Sequence, residues 1–160
     1  MAAFFTGAVL SATGAPGDVD SAARNPLGMR AFGYDTTGNI AEYIYLKGVA
    51  STIVGSVVTY DEAGVTALIA ANAVGPVAVA TGLTVASTWG WYGIWGVFST
   101  DVVANCADNA KLGRETTDGK VGDGAAAGDN IFGAVSRAAT TGAAVILCQF
   151  TYPSVNDASA

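Results

Sequence analysis

Apolar and polar positions alternate along much of this chain from residue 39 onward, and the alternation predicts strands. In "NIAEYIYLKG", residues 39–48, isoleucine and leucine alternate with tyrosine, and such residues at a period of two are typical of strands. "DEAG" at 61–64 predicts the turn of a hairpin, and "GPVAVA" at 75–80 predicts a strand that begins near its proline. "NIFGAVSRAAT" and "AAVILCQFTYP" predict two closing strands.

The spacing of these segments predicts an all-β fold. Short strands and turn signals recur about every 8–12 residues, which is typical of a small β-barrel or sandwich of short antiparallel strands. Residues 103–110 suit either short strand pieces or one or two helical turns, so we expect little helix.

The chain divides into three segments by this pattern. Residues 1–38 are rich in Ala, Gly, Ser and Thr and show no sustained period, which predicts an extended N-terminal arm. Residues 39–152 form the compact β domain, and 153–160 form a C-terminal tail. Phe4 and Phe5 give the tip of the arm an apolar face, which favours docking on a partner.

The strand "TWGWYGIWGVFST", residues 88–100, contains all three tryptophans of the chain. Strict alternation places Trp89, Trp91 and Trp95 on one face, and Tyr92 and Phe98 on the other. Because both faces are apolar, we expect the strand to be covered on both sides. A chain of 160 residues has little room to bury three tryptophans on one strand. A subunit or partner interface is therefore favoured over plain core, and plain core over a ligand platform.

Composition and charge narrow the classes of partner. The chain is 51% hydrophobic and only 12% charged, so we expect partners to cover part of its surface. Its net charge is -6, and its seven basic residues are scattered singly, which argues against direct binding of nucleic acid. Polar residues interrupt every apolar run well before the roughly 18 residues of a membrane span.

Few residues are suited to catalysis. Histidine is absent, which excludes the common nucleophile triads and most catalytic zinc sites. Most acids lie beside Gly, Asn or Thr, where aspartate more often caps turns. A calcium loop at Asp118, Asp123 and Asp129 and an acidic hydrolase site at Glu42, Asp61 and Asp101 are therefore weaker hypotheses. We expect no enzyme activity, metal or cofactor, and we expect Cys106 and Cys148 to be reduced, packed thiols.

Several blocks occur in an order that resembles a known family. Residues 25–157 contain a hairpin with "VTYD", the "GPVAVA" strand, the glycine and aromatic strand "STWGWYGIWGVF", then "DGKVGDGAAAGDNIFGAVSRAA" and a final "CQFTYPSVND". This series resembles the capsid decoration (cement) proteins of tailed bacteriophages. Trp89 and Trp95 depart from the more modest residues of that pattern, and the first 24 residues lie outside it.

The resemblance implies a virion structural protein. Such proteins are commonly β-rich homotrimers on the outer surface of the capsid, where they bridge subunits of the major capsid protein. The family supplies no site residues, so the interface is assigned from the aromatic pattern alone. The assigned residues are Phe4, Phe5, Trp89, Trp91, Tyr92, Trp95 and Phe98. The alternative is a virion or surface domain that binds a glycan or receptor through the aromatic cluster Trp89–Trp95.

Overall fold

The computed structural model of the protein describes residues 8–9, 14–124 and 129–156. Within these ranges the chain is all-β, as predicted, with twelve strands in one mixed sheet and no helix. The strands are β1 (Ala8–Val9), β2 (Val19–Asp20), β3 (Arg30–Tyr34), β4 (Ile40–Lys47), β5 (Val57–Tyr60), β6 (Thr66–Leu68), β7 (Gly75–Ala80), β8 (Trp89–Val102), β9 (Lys111–Arg114), β10 (Val121–Gly122), β11 (Asn130–Ser136) and β12 (Ala144–Val155).

The long strand β8 organises the sheet into two closed rings. One ring runs from β8 through β10, β9 and β11 to β12, which pairs back onto β8. The other runs from β4 through β8, β7 and β5 to β6, and a single bridge between Lys47 and Val65 joins its ends. Among the described residues, all pairings are antiparallel except β1 with β3, β10 with β8 and this bridge. The fold is therefore barrel-like, with β8 shared between the rings.

Side chains of the central strands alternate between two buried clusters. The tyrosines of β4, with Val77, Val79 and Trp91, belong to the larger cluster. The neighbours of these residues along the strands belong to the smaller one, which contains Ile44, Leu46, Val58, Ala78, Ala80, Tyr92 and Ile94. The alternation predicted for residues 39–48 and 75–80 is confirmed, and both faces of this part of the sheet are covered by the chain itself.

A β-bulge in β8 corrects the predicted faces of the tryptophan strand. Tyr43 of β4 lies opposite Gly93, whereas Glu42 lies opposite Trp95, so one additional residue of β8 has no partner. An extra residue moves all later side chains to the other face. Phe98 consequently packs in the same cluster as Trp91, and not on the opposite face as strict alternation predicted.

Within the described residues, the predicted N-terminal arm contributes three strands, β1, β2 and β3, to the sheet. β2 pairs with the start of β8, and β3 pairs along its full length with β4. Tyr45 Oη donates a hydrogen bond to Asp20 Oδ2 at 2.5 Å and accepts one from Arg24 N at 3.2 Å. Because these contacts are buried or partly buried, residue 38 is not a boundary between an arm and a domain.

The predicted C-terminal tail and the undecided segment 103–110 also take definite conformations. β12 continues to Val155, which is buried and lies opposite Gly75 and Ile131, so the compact domain extends past residue 152. Residues 103–110 form turns and no helix. Asn105 and Asn109 there have φ values of 64° and 57°, a region that asparagine tolerates better than most residues.

Candidate functional site

The predicted aromatic interface is divided between the core and the surface. Trp91, Tyr92 and Phe98 are each at most 2% exposed. The Trp91 ring packs edge-on against Tyr45 with centroids 5.1 Å apart, and the Tyr92 hydroxyl is hydrogen-bonded to Thr84 Oγ1 at 2.6 Å. The chain itself covers these three side chains, so they offer no surface to a partner in this conformation.

Of the predicted interface residues that the structure describes, Trp89 and Trp95 are accessible to solvent. Trp89 is half-buried, and the ammonium of Lys47 lies 5.9 Å from the centre of its ring. Trp95 is 38% exposed. Phe4 and Phe5 lie outside the described residues.

Trp95 borders a polar cluster that sequence analysis missed, here named the Glu42 surface and formed by Arg30, Glu42, Trp95 and Tyr152. Glu42 is 6% exposed and lies opposite Trp95 across the β4–β8 pair. Its Oε1 accepts a hydrogen bond from Arg30 Nη1 at 3.3 Å, and its Oε2 accepts one from Tyr152 Oη at 2.6 Å. A carboxylate buried on the sheet is thus held by two side chains that are themselves more than half exposed.

The electrostatics of the Glu42 surface keep its groups in fixed roles. The hydrogen bond to Glu42 raises the pKa of Tyr152, and burial adds to the effect, so the phenol remains a donor at neutral pH. The Arg30 guanidinium lies 5.9 Å from the centre of the Tyr152 ring, within the range of a cation–π contact. Tyr152 has a φ of 46°, which is uncommon outside glycine, and it lies in β12 at the register shift between β11 and β12.

Two neighbouring cavities extend from the Glu42 surface across the β5–β6 hairpin. The first, of about 190 Å³, is lined by Arg30, Tyr60, Pro76, Val77, Ile94, Tyr152, Pro153 and Ser154. The second, of about 750 Å³, is an open groove along residues 59–62, 65–67 and 74–76. Tyr60 and Pro76 line both. The one sequence signal for this region was the tyrosine–proline pair at 152–153, where β12 loses its alternation.

The acidic residues considered for catalysis have separate structural contacts. Asp61 Oδ1 accepts hydrogen bonds from the backbone of Ala63 and Val65, and the hairpin turn predicted at 61–64 is confirmed. Asp101 Oδ1 lies 2.8 Å from Lys120 Nζ, and Glu42 is held as described above. These three carboxylates serve a turn, an ion pair and a strand surface, and each has its own hydrogen-bond partners.

Two of the three aspartates considered for calcium, Asp123 and Asp129, are engaged in other contacts. Asp129 Oδ1 forms a 2.6 Å ion pair with Arg114, and Asp123 Oδ2 accepts a hydrogen bond from Ala107 N. Among the described residues, no group of three or more acids or cysteines has the geometry to hold a metal ion.

Asp35 has the most hydrogen bonds of any carboxylate described. Its Oδ1 accepts from Thr37 N, Thr37 Oγ1 and Asn39 N, and its Oδ2 accepts from Val97 N at 2.9 Å. Burial opposes ionisation, but the hydrogen bonds from Thr37, Val97 and Asn39 together outweigh it and lower the pKa of Asp35. Asp35 therefore ties the β3–β4 turn to the bulged segment of β8.

The two cysteines are buried and unbridged, which confirms their assignment as packed thiols. Burial raises the pKa of Cys148 to about 12. Burial and, next, the charge of Asp123 raise the pKa of Cys106. Neither thiol has the lowered pKa of a reactive cysteine.

Comparison with known proteins does not identify a relative: no protein-family model, curated protein or solved structure matches this chain. The residues that the structure describes contain no helix long and apolar enough to cross a membrane.

Proposed function

We propose that this chain is a virion structural protein that decorates and stabilises a capsid shell by bridging subunits of the major capsid protein. We propose further that it acts as a homotrimer on the outer surface of the shell. The sequence resemblance to capsid decoration proteins motivates both statements. An all-β body whose strands are tied by long-range pairing is compatible with a mechanical role.

The single observation that carries the proposal is a set of exposed aromatic side chains on three neighbouring strands. Trp95 of β8, Phe132 of β11 and Tyr152 of β12 are 38%, 63% and 54% exposed. Trp95 lies opposite Thr151, and Phe132 lies opposite Ser154. Trp95, Phe132 and Tyr152 are therefore all located at the C-terminal end of β12. Tyrosine and tryptophan are enriched where protein interfaces gain most of their affinity.

The chemistry of the polar groups agrees with a role in association. Five of the buried or partly buried carboxylates, those of Asp20, Asp35, Glu42, Asp101 and Asp129, are each occupied by a hydrogen bond or an ion pair within the chain. Shell stabilisation needs no reactive group, because a protein that binds only the assembled state stabilises that state by mass action. A trimer multiplies the effect, since several contacts must break together before the shell opens.

The alternative of a glycan- or receptor-binding domain has less support. A platform on which sugar rings stack needs several exposed aromatic faces. Of the tryptophans in the cluster Trp89–Trp95, only Trp95 is exposed. Trp91 lies in the core, and Trp89 is half-buried beside Lys47.

The proposal is tested by asking whether the protein copurifies with intact virions in a fixed ratio to the major capsid protein. Loss from the particles of a Trp95→Ala, Tyr152→Ala double variant, but not of an Asp108→Asn variant at an exposed turn, would support the assigned surface. Absence of the wild-type protein from purified virions would overturn the proposal. Light scattering tests the trimer separately, and a stable monomer at micromolar concentration would contradict it.

A further inference from the structure

The two cavities beside the Glu42 surface share Tyr60 and Pro76 and together form one groove, which we name the hairpin groove. The smaller cavity is its narrow end, the larger cavity is its wide end, and the two ends differ in chemistry. Tyr152 belongs both to its narrow cavity and to the exposed aromatic side chains of the function proposed above, whereas the wide cavity along residues 59–62, 65–67 and 74–76 lies outside that set. Its two ends, considered together, indicate what kind of ligand it accepts.

The narrow end is an apolar pocket of the size of one side chain. Tyr60, Tyr152, Pro76 and Pro153 form its walls, with Ile94 and Val77 contributing further apolar surface. Its volume of about 190 Å³ is smaller than the roughly 300–1,000 Å³ of typical small-molecule sites. Aromatic and proline walls around a small pocket suit an apolar anchor residue of a protein partner.

Arg30 adds a polar group at the rim of this pocket. A guanidinium carries five N–H donors, and one of those on Arg30 is used by Glu42. Arg30 is 56% exposed, so further donors can reach the carbonyl groups of a bound backbone. Hydrogen bonds to the main chain favour an extended peptide over a compact ligand.

The wide end of the groove is acidic. Asp61 and Glu62 are both exposed there, and among the described residues neither forms a salt bridge. Asp61 uses Oδ1 to cap the hairpin turn, which fixes its carboxylate at the edge of the groove. Val65 and Val74, 38% and 63% exposed, form the apolar floor and side between these carboxylates and Pro76.

We propose that the hairpin groove binds an extended segment of a partner protein that carries an apolar residue and, close to it along the segment, a lysine or arginine. The apolar side chain enters the pocket between Tyr60 and Tyr152, and the basic side chain pairs with Glu62 and Asp61. Charge complementarity selects this partner, because an acidic segment would meet two unpaired carboxylates. The inference does not rest on the proposed function, since it specifies the chemistry of a segment and not the assembly that contains it.

The test uses nuclear magnetic resonance titration of the labelled full-length chain with two pools of short acetylated and amidated peptides. Each peptide has one central Leu, Ile, Val or Phe, and glycine and proline residues form its two ends. The residues next to the central one are Lys or Arg in the basic pool and Glu or Asp in the acidic pool. We expect only the basic pool to shift resonances of both cavities, at residues 59–62, 65–67, 74–77 and 152–154, with an affinity that falls as salt is added.

Three variants locate the binding site. Glu62→Lys reverses an exposed charge and should weaken binding by roughly three- to tenfold. Val74→Arg changes an exposed side chain and should weaken it further by obstructing the groove and adding positive charge. Asp108→Lys makes the same charge reversal as Glu62→Lys at an exposed position outside the groove and should retain at least half of the wild-type affinity.

The outcomes separate the alternatives clearly. Shifts confined to the groove, seen with the basic pool and lost in Glu62→Lys and Val74→Arg, support the proposal. Equal shifts with both pools, shifts elsewhere on the surface, or no shift with the basic pool at millimolar concentration would each overturn it. The peptide titration tests the hairpin groove, and copurification with virions tests the proposed function. Either proposal can therefore be contradicted while the other stands.

Discussion

Trp91 and Trp95 lie four residues apart on the same strand and occupy opposite environments. Trp91 is 1% exposed and packs against Tyr45 in the larger core cluster. Trp95 is 38% exposed and borders Glu42 and Thr151 on the surface. An unbroken strand would place both side chains on the same face. The difference between them therefore comes from the backbone between them, and not from the residue type.

The bulge in β8 explains the difference and also creates the surface. One additional residue between Gly93 and Trp95 ends the pairing register of the first half, and Gly96 follows with a φ of 130°. A Cβ at Gly96 would lie 2.8 Å from Ala41 Cβ, so this position requires glycine for both conformation and space. The core aromatic Phe98 and the surface aromatic Trp95 thus have a common structural cause.

Removing the buried tryptophan should have the largest effect of the changes considered. Trp91→Ala leaves a cavity in the larger cluster and should lower the free energy of unfolding by about 3–5 kcal/mol. Trp95→Ala should lower it by about 1 kcal/mol or less, because much of that ring is already in water. Urea unfolding followed by circular dichroism measures both. Equal losses in the two variants would contradict the contrast between the sites.

Adding one methyl group beside the bulge should also be destabilising. A Cβ at Gly93 would lie 2.5 Å from Phe98 Cε2 and Cζ. The Phe98 ring cannot move away easily, because it is 2% exposed and packs edge-on against Tyr43 at 5.5 Å. Gly93→Ala should therefore reduce the free energy of unfolding by about 1–3 kcal/mol in the same urea measurement.

Two further variants test the cause of the Gly93 effect. Phe98→Leu combined with Gly93→Ala should be more stable than the sum of the two single losses predicts, because the smaller side chain leaves room for the methyl group. Gly142→Ala, where a Cβ meets nothing within 4 Å, should change stability by less than about 0.5 kcal/mol. Strict additivity of the double variant would indicate that the clash is not with Phe98.

The alternation of apolar residues was sufficient to predict the fold class and several strands. Residues 39–48 and 75–80 carry β-branched and aromatic residues at a period of two, and both strands form with the predicted faces. The aspartate in "DEAG" caps the predicted turn, because this interaction is local and depends on neighbours in sequence. Features with local causes were therefore predictable.

The Glu42 surface was not predictable, because its residues come from the β3–β4 pair, β8 and β12, which are distant from one another in sequence. Arg30, Glu42, Trp95 and Tyr152 meet only after β3, β4, β8 and β12 have paired. The bulge was equally hidden, since a register shift is set by pairing with β4 and by the packing of Phe98. The N-terminal arm lacked periodicity because β2 has only two residues and β3 five.

The hydrogen bonds of Asp35 predict a moderate and pH-dependent effect at the turn next to the bulge. Because the pKa of Asp35 in the folded state lies below its ordinary value of 3.8, its ionised form contributes stability above that pH. This contribution is lost as the pH falls through the lowered folded value. Asp35→Asn should reduce the free energy of unfolding by about 1–2 kcal/mol at pH 7, and by less below about pH 4.

Chemical denaturation at a series of pH values measures the Asp35 effect. The matched control is Asp108→Asn, which removes an exposed carboxylate and should leave the stability at pH 7 within about 0.5 kcal/mol of the wild type. A difference between Asp35→Asn and wild type that stays constant from neutral to acid pH would contradict ionisation as the source of the stability.

Replacing single tryptophans of β8 by phenylalanine should have the smallest effect on the fold. Tryptophan fluorescence of these variants measures the contrast between Trp91 and Trp95 most directly. Acrylamide is a neutral quencher, so its access depends on exposure and not on the charges of Arg30 and Glu42. Trp95→Phe should remove the larger part of the quenchable emission, whereas Trp91→Phe should remove mainly blue-shifted, protected emission. An equal loss of quenchable emission in both variants would contradict the assigned environments.

The same measurement connects Trp95 to association. Copies of the chain that associate through Trp95, Phe132 and Tyr152 would remove Trp95 from solvent. Raising the protein concentration should then reduce the quenching of wild-type emission by acrylamide. The Trp95→Phe variant should show little change over the same range, since Trp91 is already covered by the chain itself. A concentration effect that persists in Trp95→Phe would place the contact between copies away from Trp95, with Trp89 the remaining half-buried tryptophan to examine.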